Sequence, residues 1–62
     1  MRTIAGLRAD SGLTQAELAR IMGVHKQTVY NWEKEQPDLS GEVIIKLATY
    51  FNVTSDELLG LK

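Results

Sequence analysis

Gln27, Tyr30, Asn31 and Lys34 recur at i, i+3, i+4 and i+7, the interval that stacks side chains on one face of an α-helix. The stripe holds two amides, a phenol and an ammonium, and no carboxylate. These groups suit the edges of base pairs in a DNA major groove. Amides pair bidentately with adenine, lysine donates to guanine or phosphate, and an aromatic edge can meet a thymine methyl. A solvated polar face is also what any amphipathic surface helix presents, so the stripe alone leaves both readings open. Other chemistries lack their groups. The chain has no cysteine and a single histidine, His25. That excludes disulfides and thiolate metal sites, and one imidazole cannot build a zinc site without several carboxylate partners. His25 also has no adjacent nucleophile with which to form a triad. No enzymatic activity, cofactor or metal is expected.

The stripe needs an element to hold it. Val29 and Trp32 lie on the opposite side of the same helical projection, and Val24 precedes them. Upstream, Thr14 and Glu17 have the spacing of a capping box, in which each side chain satisfies an unpaired backbone N–H at a helix start. Leu18, Ala19 and Met22 then form one apolar face. Gly23 suits the left-handed conformation that stops a helix, because it has no Cβ to clash. The spacing predicts helices over about Gln15–Met22 and Lys26–Lys34, joined by a tight turn. Two short helices related by a glycine turn make a helix-turn-helix.

The residues Gly12-Leu13-Thr14-Gln15-Ala16-Glu17-Leu18-Ala19, Gly23-Val24, Thr28-Val29 and Trp32-Glu33 closely resemble the phage-repressor-like (Xre/Cro) helix-turn-helix family. With Arg8 ahead of them and Leu47-Ala48, Phe51-Asn52-Val53 and Leu58-Leu59 behind, the likeness runs over essentially the whole chain. It implies an all-α, five-helix DNA-binding domain whose helix-turn-helix is formed by the second and third helices. The third helix would enter the major groove with its N-terminal half. Lys26, Gln27, Tyr30 and Asn31 would read bases, the two amides suiting adenine. Gln15, His25, Thr28 and Lys34 would grip phosphates, contacts that set register without carrying sequence information. The resemblance further implies an ion pair between Arg8 and Glu33, partly buried, tying the first helix to the end of the third. Two independent surface charges, worth little, are the alternative.

Two departures from the family pattern stand out. The family usually has Ser or Thr where His25 stands, and histidine is a poorer cap, forgoing on the order of 1 kcal/mol. His25 is either a tolerated exposed residue or a phosphate or base-edge contact; a contact would tighten when the imidazole, with an ordinary pKa near 6.5, takes a proton. The loop Lys34–Ser40 has Glu35 where the family commonly has glycine, and its proline two residues early. Glu35 and Asp38 would repel a nearby DNA backbone, leaving Lys34 and Gln36 as candidate contacts in this loop.

The remaining chain supplies the frame. Met1–Asp10 reads as the first helix, with Ile4 and Leu7 inward and Gly12 ending it. Ser40 is expected to cap a fourth helix over Gly41–Phe51, with Leu39 as an apolar anchor and Ile44, Leu47, Ala48 and Phe51 on one core stripe. Val43 and Tyr50 would flank that stripe. Thr54 and Glu57 form a second capping box that opens a short fifth helix, Ser55–Leu59, with Gly60 ending it. Ile45, Leu59 and Leu61 are expected at the surface, as harmless leftovers or as a self-complementary dimer patch.

Sixty-two residues make at most one domain, near the lower size limit for folding alone. Residues 1–62 are therefore expected to form a single DNA-binding domain. A 44% apolar fraction is enough for packed helices, and sustained strand alternation is missing. No apolar run reaches membrane length and no secretory segment opens the chain, so a soluble cytoplasmic protein is expected. The net charge of −1 is low for a DNA binder, but it is unevenly spread. Residues 1–34 hold five basic and three acidic side chains; residues 35–62 hold two basic and five acidic. The basic half contains the reading helix.

The expected partner is a double-stranded operator. One domain covers too few base pairs for regulatory specificity, so a homodimer on a palindromic site is expected, with half-sites about one helical turn apart. Repression of transcription is the expected mode, with no membrane partner and no small-molecule effector within these residues. The alternatives are a protein-interaction module that kept the fold and lost the DNA face, favoured by the low net charge, and the antitoxin of a toxin–antitoxin pair.

Overall fold

A computed structural model describes residues 2–36 and 39–59. It contains five helices and, among the described residues, no strand: α1 (Ile4–Asp10), α2 (Gln15–Met22), α3 (Lys26–Lys34), α4 (Gly41–Phe51) and α5 (Ser55–Leu59). The last four have the bounds expected from the sequence. The first is shorter than Met1–Asp10. Thr3 is extended and its hydroxyl accepts from the Gly6 N–H at 3.0 Å, so the helix starts at Ile4. Arg2 instead runs alongside the end of the chain, its N–H donating to the Glu57 carbonyl at 2.9 Å.

Local chemistry sets most helix ends. Thr14 and Glu17 exchange hydrogen bonds of 2.8 and 3.1 Å at the start of α2, and Thr54 and Glu57 exchange two of 3.1 Å before α5. Ser40 Oγ accepts from the Val43 N–H at the start of α4. Gly23 closes α2 at φ 73°, a conformation that would strain a residue with a Cβ. Asn52 closes α4 in the same left-handed region, at φ 58°. Gly60 and Leu61 lie outside the described residues, as do Pro37 and Asp38.

The core joins all five helices. Ile4 and Leu7 from α1, Leu18, Ala19 and Met22 from α2, Val29 from α3, Ile44, Leu47 and Ala48 from α4, and Leu58 from α5 are buried together. Leu13, Val24, Trp32, Leu39, Val43, Phe51, Val53 and Leu59 pack around them half-buried. Leu59 therefore belongs to the core rim and not to the surface where the sequence put it. Its helix is pulled in by Leu58, whose side chain is fully covered. Ile45 and Tyr50 are exposed, and so is Ile21.

One polar side chain is built into this core. Gln36, expected as a surface contact for DNA, is 3% exposed. Its Oε1 accepts from the Ile4 N–H at 2.7 Å, and its Nε2 donates to the carbonyls of Arg2 and Leu58 at 2.6 and 2.7 Å. Ile4 opens α1, so its N–H has no partner within the helix. Gln36 satisfies it and ties the N-terminal segment to α5, and it has no free group for a phosphate.

Candidate nucleic-acid interface

The position of α3 follows from its inner face. Val29 is fully buried, and Val24 and Trp32 pack against the core on either side of it. Because the helix is held from that side, the opposite face is left to solvent: Lys26, Gln27, Tyr30, Asn31 and Lys34 are all exposed. Thr28 is half-buried at its edge.

Two contacts organise the exposed face. Gln27 Nε2 donates to Asn31 Oδ1 at 3.2 Å, one helical turn away. The Lys34 ammonium lies 5.8 Å from the centre of the Tyr30 ring, a cation–π distance. No carboxylate faces this stripe from within it, and the side chains keep unspent donors and acceptors. Chemically, the surface can meet the mixed donor–acceptor pattern of base edges.

The two ends of α3 differ. At its start, His25 is extended and exposed, and its side chain takes none of the backbone N–H groups of the first turn. At its end, Glu33 is fixed. Arg8 Nε donates to Glu33 Oε2 at 2.7 Å, with the side chains only 20% and 11% exposed. Arg8 Nη1 also donates to the Leu13 carbonyl at 2.8 Å. The expected ion pair is thus present and partly buried. Arg2 and Asp10 form a second pair at 3.8 Å, but both are exposed, so it contributes little.

Gln15, expected at a phosphate, opens α2 half-buried, and its Nε2 donates to Glu33 Oε1 at 3.0 Å. This bond is not legible in the sequence. Gln15 and Glu33 are eighteen residues apart, and no local pattern signals such a pairing. Gln15 also lines an open concavity of about 610 Å³ with Arg8, Thr14 and Lys26. Lys26 and the start of α2 therefore border one hollow, which suits an anion, while Arg8, which also lines it, is paired with Glu33. Beside it, the Glu17 carboxyl is held below its ordinary range, chiefly by the Thr14 N–H and then by the Thr14 hydroxyl. It remains ionised where it closes the cap.

No group of three or more His, Cys, Asp or Glu side chains that could share a metal ion occurs among the described residues. None of the described helices is long and apolar enough to cross a membrane.

Comparison with known proteins agrees with this geometry. A family model described as "Helix-turn-helix" matches residues 4–58. The HTH-type transcriptional regulator ImmR of Bacillus subtilis (strain 168) is 32% identical over 53 residues, 86% of this chain and 42% of that protein. The chain thus spans less than half the length of that relative. An uncharacterized HTH-type transcriptional regulator of Archaeoglobus fulgidus is 39% identical over 59 residues, covering 94% of this chain and 84% of its own. Another, of Methanocaldococcus jannaschii, is 37% identical over 51 residues, covering 82% and 77%. No solved structure gives a significant match. With five helices in the expected order, the Arg8–Glu33 pair in place and the family match over nearly the full length, the chain belongs to the Xre/Cro-like helix-turn-helix family of non-enzymatic DNA-binding domains.

Proposed function

We propose that residues 1–62 form one domain of a cytoplasmic transcriptional repressor, which binds a palindromic operator as a homodimer. The observation that carries this reading is the two-sidedness of α3: Val29 is fully buried, while Lys26, Gln27, Tyr30 and Asn31 are exposed along a face without carboxylates. Gln27 and Asn31 read adenine, Lys26 reads guanine or a neighbouring phosphate, and Tyr30 packs against a thymine methyl or the groove wall. Gln15, His25, Thr28 and Lys34 hold phosphates and fix register. The naming of three relatives as transcriptional regulators supports the same role.

A competing reading, a protein-interaction module on the same fold, draws on the net charge of −1. Salt dependence separates the two. Phosphate contacts release counterions, so log K for duplex DNA falls linearly with log[salt]. Fluorescence anisotropy of a labelled duplex at increasing salt should give a clear negative slope. Lys34→Ala should weaken all sequences alike and reduce that slope by roughly 1. Affinity that stays constant from low to high salt would reject DNA binding in favour of the interaction module. A sequence-selective loss in Lys34→Ala would reassign Lys34 from phosphate to base.

A further inference from the structure

Glu33 does two things in the structure, and the ion pair with Arg8 accounts for only one of them. Its Oε1 also accepts from Gln15 Nε2 at 3.0 Å. A carboxylate has no proton to donate at neutral pH, so the polarity of this bond is chemically forced: the nitrogen of the Gln15 amide must face Glu33. An amide nitrogen carries two hydrogens, and one remains to donate elsewhere. The side chain stands at the first position of α2, beside a hollow it shares with Arg8 and Lys26. A free exposed glutamine would sample both amide orientations, and the orientation with oxygen outward repels a phosphate.

The second consequence is electrostatic. A lone carboxylate one side chain away from a phosphate would oppose its approach. Arg8 is paired with Glu33, with Nε at 2.7 Å from Oε2 and Nη2 at 3.5 Å from Oε1. It cancels that charge while leaving Oε1 available to the amide.

We propose that Glu33 is a positioning residue for DNA binding: it holds the Gln15 amide with its nitrogen available to a backbone phosphate, while Arg8 neutralises the carboxylate that does so. The proposal rests on the reading of Gln15 as a phosphate contact. It assigns a pair otherwise regarded as structural a direct part in affinity.

A double-mutant cycle tests it. The probe is a fluorescein-labelled duplex carrying the sequence that the parent chain enriches from a random pool. Gln15→Ala is measured in the parent and in Arg8→Met/Glu33→Met, a background that removes both charges together and so strands neither; such replacements are often neutral for stability. Gln15→Ala should weaken binding about five- to tenfold in the parent, the size of one ordinary hydrogen bond, and less than about twofold in the paired background. Equal losses in the two backgrounds would overturn the positioning role and leave the phosphate contact intact. No loss in the parent would instead remove Gln15 from the interface, and the proposal with it. If the paired variant does not fold, the parent still decides the matter by NMR of the Gln15 side-chain amide. On duplex addition one of its two proton resonances should move while the other keeps its carboxylate-bonded shift. Movement of both to the free-glutamine position would overturn the proposal.

Discussion

At the start of α2, Thr14 and Glu17 close two backbone N–H groups with reciprocal hydrogen bonds; at the start of α3, His25 occupies the same structural position and its side chain closes none. The two helices are neighbours in one motif and close in length, yet only the first is stabilised locally. α3 takes its stability from elsewhere. Val29 anchors its middle in the core and the Arg8–Glu33 pair anchors its end. α2 is closed at its start by side chains, whereas α3 is held at its middle and its end and has no side-chain cap at its start.

This contrast can be broken in order of expected effect. The largest should come from the anchor. Glu33→Ala or Arg8→Ala leaves its partner unpaired in a mostly dry position, and each should cost about 3–5 kcal/mol in urea denaturation. A loss under about 1 kcal/mol would mean the pair behaves as a surface contact and that α3 is held by apolar packing alone. Next come the readers. Gln27→Ala and Asn31→Ala should each weaken operator binding by roughly 1–3 kcal/mol and relax one position of the site. Because both side chains are exposed, their thermal unfolding should match the parent's. A destabilised variant with unaltered selectivity would move them from the interface to the scaffold.

The caps should give smaller changes of opposite sign. His25 has the extended backbone of a cap, φ −77° and ψ 152°. His25→Ser should therefore stabilise the fold, and Thr14→Ala should destabilise it, each by about 1 kcal/mol. If His25→Ser gained nothing, the first turn of α3 would already be satisfied in another way, and the contrast between the two helix starts would disappear. The smallest effect is pH-dependent. The Glu17 carboxyl titrates below its ordinary range because Thr14 bonds to its ionised form. Its contribution is thus fully present above the ordinary carboxylate range and is lost as pH falls through the lowered folded value. An NMR titration should place the Glu17 midpoint below that of an unstructured glutamate, and Thr14→Ala should raise it. An unshifted midpoint in the parent would show the box to be open in solution.

How much of this was legible in the sequence depends on the range of each interaction. The starts of α2, α4 and α5 are readable because their caps, Thr14 with Glu17, Ser40, and Thr54 with Glu57, act within three or four residues. The apolar stripes were readable because helical period converts spacing into a face. The start of α1 was misjudged because Arg2 is drawn away into a bond with Glu57, fifty-five positions on. Gln36 was misjudged for the same reason. Nothing in a polar residue beside Glu35 and Pro37 signals burial, and its three partners come from Arg2, Ile4 and Leu58. Leu59 has no partner within its own short helix that marks it as apolar filling, and it joins the core rim through the packing of α5. At the interface, the exposed stripe of α3 followed from periodicity and the Arg8–Glu33 pair from family likeness. The Gln15–Glu33 bond followed from neither.

Selection from a random duplex pool, carried out in parallel with the parent and with Gln27→Ala, tests most directly whether the outer face of α3 reads base pairs. The parent should enrich a palindromic sequence with half-sites about one helical turn apart, and the variant should enrich the same site with one position per half-site relaxed. Enrichment of no sequence by the parent, or an identical preference at every position in the variant, would contradict the account.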